Sequence, residues 1–355
     1  MAPGLHAATY YVNPGGNDGN PGTPSAPMRT IQRAVDAAYA GDLVLVQDGW
    51  YGAENAYTGG DGAYNVATPV WLRHSGTPDA WITIKGEHKG GATLDCQMIC
   101  DAYINLFNAS YIAITDLVIT GGYKEAIHTD DAAHHIFIAG NRFEYIANRA
   151  TWTTYGNSAI YTSASCHDFL IYANTFHDIG RTAGPVSYDH GLYLHGYNYQ
   201  ILDNVFYNIK AGWSIQLADG LANVEIANNT FAYGNPNLNG QIVMWEHQSN
   251  VTIQNNIFYN PLGAAINRSQ SSIDGCTITQ NLVSGTDQII TDGGGCSVWS
   301  NQSNDPQFVN PGGVDFHPQP WSPAVGAGSS LAEVPTDMDA RHRPWNTSLG
   351  AFEPY

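Results

Sequence analysis

Residues 199–206 read YQILDNVF, residues 224–231 VEIANNTF and residues 251–258 VTIQNNIF. In each, apolar side chains alternate over a short run, an Asn follows, and a Phe stands two places beyond it: Asn204 with Phe206, Asn229 with Phe231, Asn256 with Phe258. Alternation with a period of two is the pattern of a half-buried strand. The same figure recurs upstream at Asn141 with Phe143 and Asn174 with Phe176, and downstream at Asn281 with Val283. Residues 296–301 are a degenerate last copy, and residues 112–117 a first one with Leu117 in the Asn place.

Successive Asn residues lie 33, 30, 25, 27, 25 and 20 apart. A period of twenty-odd residues marks a solenoid in which each repeat is one turn of a coil of short strands. Inward Ile, Val and Phe then stack on their counterparts about 4.8 Å away along the axis. The Asn column forms an amide ladder at a corner, bonding backbone groups that a tight turn would orphan.

A second short run precedes most of these strands: AIHT at 126–129, AIYT at 159–162, GLYL at 191–194, SIQL at 214–217, IVMW at 242–245 and AINR at 265–268. Stacked, they make a sheet whose outward positions carry His128, Tyr161, Tyr193 with His195, Gln216, and Trp245 or Glu246. The two longest turns insert residues 147–158 and 180–190 just before this sheet, where they should wall a groove.

The 355 residues are expected to form one domain. Residues 8–51 supply a short strand, a Gly/Asn/Pro loop and a helix over about 28–39, whose Thr30, Ile31, Ala34, Val35 and Ala38 form an apolar stripe, followed by a strand at 43–47. Such a helix caps the open end of a stacked-strand core. Residues 81–86 read as a strand, the coils run over about 80–303, and from residue 304 Pro and Gly exclude regular strands. The stretch 304–355 is expected to be a tail packed along the coil and over its end.

The chain carries 13 Lys and Arg against 31 Asp and Glu, a net charge of −18. That excess argues against nucleic acid or an anionic membrane as partner, since both demand a basic footprint. There is no run of about 18 apolar residues to span a membrane. The Met-Ala start carries no signal-like apolar stretch, so an export signal is expected to lie outside this sequence. Cys96 and Cys100 can close a small loop, whereas Cys276 and Cys296, at equivalent positions of adjacent repeats, read as stacked core thiols. None of the five Cys has a zinc-site spacing.

The opening YYVNPGGNDGNPGTPSAPMRTIQRAVDAA, the NNTF and NNIF turns, and the closing DPQFVNP, SPAVGAG and LGAFEPY segments resemble those of secreted β-helix proteins of the polysaccharide lyase-like (pectin lyase-like) superfamily. The resemblance covers nearly the whole chain. It implies an all-β fold, a right-handed single-stranded parallel β-helix with an N-terminal capping helix and a C-terminal tail. It also implies a secreted or periplasmic protein acting on a polysaccharide or oligosaccharide. Lyases, hydrolases, uronan epimerases and phage tailspikes share the scaffold, so the reaction has to be read from the site.

In the lyases of this superfamily a base removes the proton α to a uronate carboxyl while Ca²⁺ or Arg neutralises the carboxylate, because an enolate-like anion develops there. The family's lysine and arginine signatures have no secure place in this sequence. What the sequence offers instead is Asp189, His190, Tyr193 and His195 on one strand. A carboxylate at the second ring nitrogen of a His fixes its tautomer and raises its basicity. His190 or His195 is the candidate base, Tyr193 the acid, and Arg181 or Lys210 the carboxylate partner, with Lys124 and Arg149 on flanking turns. Tyr161, Tyr188, Trp213, Trp245, Trp152 and Tyr155 offer flat faces for sugar rings, beside His128. A hydrolase would instead need two carboxyls about 5–9.5 Å apart. Asp130, Asp131, Asp189, Asp219 and Glu246 are the candidates, and Asp130 with Asp131 could hold Ca²⁺. The loop of residues 15–22 reads as a turn. A non-catalytic glycan-binding surface protein, for which an aromatic groove suffices, is the remaining reading.

Overall fold

The computed structural model describes residues 7–53, 68–129, 131–148, 157–181, 187–292 and 294–355. Its strands stack in parallel on three faces of a coil. The first is a spine sheet that includes Thr9–Val12, Leu43–Val46, Ile82–Gly86, Ser110–Thr115, His134–Ala139, His167–Tyr172, Tyr197–Leu202, Leu221–Ala227 and Cys296–Trp299. The second is a ten-stranded sheet of short strands such as Arg142–Glu144, Thr175–His177, Val205–Tyr207 and Thr230–Ala232. The third, the groove sheet, includes Glu125–His128, Asn157–Tyr161, Asp189–Leu194 and Ile215–Leu217. Two long strands, Ile242–Gln254 and Ile266–Thr279, run around the corner between the spine and groove faces and join them into one sheet.

The corners repeat as strictly as the strands. The residue before each ladder Asn is left-handed: Gly140, Ala173, Asp203, Asn228, Asn255 and Gln280 all have φ between 52° and 67°. A second left-handed column, His135, Asp168, Asn198, Asn223 and Asn250, opens the spine strands. Asn and Asp tolerate this region better than other side-chain-bearing residues, which explains their density here.

The expected amide ladder runs unbroken from Asn141 through Asn174, Asn204, Asn229, Asn256 and Asn281 to Asn301, with side-chain contacts of 2.9–3.1 Å. The Asn229 Oδ1 accepts from the backbone N–H of Asn204 at 2.8 Å and from its Nδ2 at 3.0 Å, while the Asn229 Nδ2 donates to the carbonyl of Ile201 at 2.8 Å. Beside it, Phe143, Phe176, Phe206, Phe231 and Phe258 stack face to face with centroids 4.7–5.1 Å apart. The coil repeat thus sets both spacings.

The helix spans Ile31–Ala37, shorter than expected, because Met28 pairs with Val12 in a bridge and Thr30 is the N-cap. Ile31, Ala34 and Val35 are buried over the first coils. Cys96 and Cys100 are bridged, and so are Cys276 and Cys296, which corrects the reading of the second pair as thiols. In-register positions on adjacent parallel strands bring their Cα atoms to 4.3 Å, within bridging reach. Cys166 is a free buried thiol.

The tail packs along the coil. Phe308–Asn310 and Asp315–Pro318 form a short antiparallel pair, which corrects the expectation of no strand there; the turn between them closes through left-handed Val314. Phe316, Leu349 and Ala351 pack on Val205, Ile257 and Leu282. Arg343 is buried between Asp203 of the coil and Glu353 of the tail.

Removing one rung of the ladder should be costly. Asn229→Ala leaves the Asn204 N–H and the Ile201 carbonyl buried without these partners, at about 1–3 kcal/mol each. Denaturant unfolding of the variant should therefore show a loss of about 2–6 kcal/mol.

Candidate functional site

His128, Tyr161, Tyr193 and Gln216 stand in register on the groove sheet. The column extends to Asn105 and Trp71, on two-residue strands too short to show a period in the sequence. In the other direction it continues to buried Val243 and to Asn267, not to Trp245 or Glu246. The continuous apolar run Ile242, Val243, Met244 hides which residues point inward; in the fold Ile242 and Met244 are the core pair.

The column is an aromatic strip. His128 lies flat on Tyr161 with centroids 5.3 Å apart, and Tyr161 meets Tyr193 edge-on at 5.7 Å. His195 packs against both, 4.8 Å from Tyr193 and 5.6 Å from Tyr161. His128 is itself paired with Glu125, and both are buried.

His195 is clamped by the coil before it. Its backbone N–H donates to Thr162 Oγ1 at 2.9 Å, its carbonyl accepts from the Tyr199 hydroxyl at 2.6 Å, and its ring Nδ1 lies 2.7 Å from the Thr162 carbonyl. A carbonyl only accepts, so Nδ1 carries the hydrogen and Nε2 the lone pair. Burial lowers the imidazole pKa, opposed by the Thr162 bond and the charge of Asp219. Burial and the charge of Glu246 raise that of the Tyr193 phenol, which stays protonated at neutral pH. Asp219 and Glu246 are both exposed; Asp219 accepts from the His247 backbone N–H at 3.2 Å, and Glu246 from the Trp245 indole at 3.2 Å.

The other half of the predicted cluster is taken up by the scaffold. Asp189 is fully buried in a two-pronged pair with Arg181, at 2.7 and 2.6 Å, and accepts from Asn157 at 3.0 Å. Neither Asp189 nor Arg181 is available to a His or to a substrate carboxylate. His190 is 1% exposed, and its Nδ1 accepts from the Trp213 backbone N–H at 3.2 Å. Burial pushes its pKa down to about 4, against the pull of Asp189. Trp213 stacks on His190, with its indole donating to the Asn239 carbonyl at 2.9 Å, so it offers no face to a sugar. The cause is shared: residues 211–214 bond across this strand entrance and cover it.

Lys210 is paired with Asp178 at 2.8 Å and Lys124 with Asp101 at 3.2 Å. Lys210 lines a pocket of about 680 Å³ with Tyr233, Asn235 and Leu262, to which no residue of the aromatic strip contributes. Tyr188 is exposed beside the strand entrance. Asp131 is exposed and accepts from Asn108 at 3.4 Å. Asp130, Arg149, Trp152 and Tyr155 lie outside the described residues.

Residues 10–278 match the family model described as Pel9A-like, right handed beta helix region. The chain belongs to this Pel9A-like β-helix family. Over 169 residues the Pel9A-like chain is 30% identical to pectate lyase PEL9 of Emericella nidulans, covering 43% of this chain and 36% of that protein. It is 28% identical over 144 residues to the uncharacterised Bacillus subtilis protein YwoF, covering 39% of this chain and 29% of that protein. The matched segments thus span about a third of those relatives. The structure superposes on that of pectate lyase Pel9A with a TM-score of 0.66 at 14% identity, covering 100% of this chain and 98% of that one. It superposes on that of an alginate lyase from a Paenibacillus species with a TM-score of 0.55 at 18% identity, covering 77% and 92%. At these identities the two superpositions show the shared right-handed β-helix fold.

The burial of Asp189 and His190 has measurable consequences. Asp189→Ala leaves the Arg181 guanidinium buried without its carboxylate and should cost about 3–5 kcal/mol of stability. His190 is neutral in the folded chain, while the unfolded chain takes up its proton below the ordinary value of 6.5. Folding stability should therefore fall as the pH drops from 6.5 towards 4. Denaturant unfolding across that range should show a shallower fall in His190→Gln.

Proposed function

We propose that the chain is an extracellular carbohydrate-active enzyme that binds a uronate-containing polysaccharide along the groove sheet and cleaves it by β-elimination, with His195 as the base. The observation that carries this reading is the fixed tautomer of His195. A neutral imidazole held by Thr162, with its Nε2 lone pair free of that bond, meets the demand for a base at neutral pH. Tyr193, 4.8 Å away and protonated, is the candidate acid for the leaving oxygen. Tyr161, backed by the buried His128, extends the strip on which sugar rings would lie. The names of PEL9 and of the alginate lyase support a uronate glycan as substrate. Two disulfides fit an oxidising compartment.

A second reading, glycoside hydrolysis by Asp219 and Glu246, is favoured by the charges around the strip. Both acids are exposed and their charges reach His195 and Tyr193, whereas Lys124, Arg181 and Lys210 are all ion-paired.

Incubation with a panel of uronate polysaccharides, with Ca²⁺ and with a chelator, separates the two. The lyase should produce ultraviolet-absorbing unsaturated ends. Reducing ends without that absorbance would replace it by the hydrolase, and binding without either product would leave a glycan-binding protein. His195→Asn keeps a donor for the Thr162 carbonyl but has no Nε2, and should lower turnover roughly 10²–10⁴-fold with little change in stability. The base must be neutral, so activity should fall as the pH drops through the lowered His195 pKa, with its acid midpoint below 6.5. A midpoint above 6.5, or full activity in His195→Asn, would remove His195 from this role.

A further inference from the structure

The spine sheet carries a second cluster that the glycan reading does not use. Where its strands begin, two columns run side by side along the coil. One holds Ser110, His134, His167, Tyr197 and Ala222 in register. The other is the left-handed column of His135, Asp168, Asn198, Asn223 and Asn250, in which Asn250 donates to Asn223, Asn223 to Asn198, and Asn198 to Asp168, each at 2.9 Å. The second column ends on the Asp168 carboxylate, and beyond it the two columns meet.

One ring nitrogen from each of His134, His135 and His167 lies within 4.8 Å of the other two. The Nδ1 atoms of His134 and His135 are 2.8 Å apart. Asp168 Oδ2 is 2.6 Å from the His167 Nδ1 and 3.6 Å from the His135 Nδ1. In a tetrahedral zinc site, metal–nitrogen bonds of about 2.0–2.1 Å place the ligand atoms about 3.3 Å apart, in the middle of these separations. Ring contacts surround the cluster, and because imidazole lone pairs lie in the ring plane, the parallel His134 and His167 rings must turn to reach one ion. Tyr111 packs 4.6 Å from His135, His134 lies flat on His167 at 4.8 Å, and His167 lies flat on Tyr197 at 4.7 Å. The side chains of His135, His167 and Asp168 are 39%, 22% and 32% exposed, so an ion can enter from solvent.

We infer that His134, His135, His167 and Asp168 form a binding site for a borderline divalent transition metal such as Zn²⁺, which clips two successive coils together. Three imidazoles and one carboxylate oxygen suit Zn²⁺, Co²⁺, Ni²⁺ or Cu²⁺, whereas Ca²⁺ takes oxygen ligands. The ion takes the place of the proton shared by the His134 and His135 nitrogens. Its bonds to His167 and Asp168 then add to the backbone ladder between the two coils. The site is independent of the groove and of any reaction there.

The fold itself supplies conservative variants. His135→Asn installs the residue that its column carries at Asn198 and Asn223, and His167→Tyr the residue that its column carries at Tyr197, so neither disturbs the coil. The metal-free 355-residue chain would be titrated with ZnCl₂ by calorimetry and with CoCl₂ by visible absorption, and its melting followed with and without Zn²⁺. The expected result is one Zn²⁺ per chain, a cobalt spectrum of tetrahedral type, a raised melting temperature and no competition from excess Ca²⁺. Each variant should weaken Zn²⁺ binding at least tenfold and lose the melting shift. His88→Ala, in the exposed group of Asp48, Glu87 and His88, should change neither. Absence of stoichiometric binding, or binding that survives both His135→Asn and His167→Tyr, would overturn the site.

Discussion

Each coil of this protein must turn sharp corners in a chain whose neighbours lie only one strand spacing away, and each corner threatens to bury backbone groups without partners. The amide ladder from Asn141 to Asn301 is the solution on which the rest depends. A single Asn side chain serves the coil before it and the coil after it, accepting from one and donating to both. The left-handed residue just before it is what aims the amide along the axis. Once these corners are fixed, the stacking of Phe143 through Phe258 follows, because side chains at equal positions have nowhere to go but onto one another.

A stack of coils still has two open ends and a free seam. The helix Ile31–Ala37 covers one end with Ile31, Ala34 and Val35. Towards the other end the disulfide Cys276–Cys296 ties the last coils, and the tail is anchored through Arg343 to Asp203 and Glu353. Burying Arg343, Asp203 and Glu353 together is tolerable only because the guanidinium reaches both carboxyl groups and the Gly350 carbonyl, and burial still pushes the Asp203 pKa up to about 8.

The groove face shows how one strand can have a half buried in the scaffold and a half on the groove surface. Its entrance, Asp189 and His190, is closed over by residues 211–214 and spent on a buried ion pair and a neutral buried imidazole. Three residues further on, Tyr193 and His195 emerge onto an aromatic strip flanked by acids. In so acidic a chain the cations near the groove are drawn to local carboxylates, Lys210 to Asp178 and Lys124 to Asp101.

The repeat, the ladder Asn residues, the Phe stack and the outward column from His128 to Gln216 were all legible in the sequence, because a solenoid writes its contacts as a period and neighbours in space are neighbours in the repeat. The same logic places the His134, His135 and His167 group, since His134 and His167 occupy one repeat position. Where the period fails, the sequence falls silent. The run Ile242 to Met244 is apolar throughout and conceals its own register, and Trp71 and Asn105 sit on strands of two residues. Tertiary structure alone decided which of the four clustered side chains Asp189, His190, Tyr193 and His195 reach the groove surface. Adjacency in sequence put Asp189 beside His190, but the carboxylate turned to Arg181, because a buried charge is satisfied by the nearest opposite charge and not by the nearest residue in the chain.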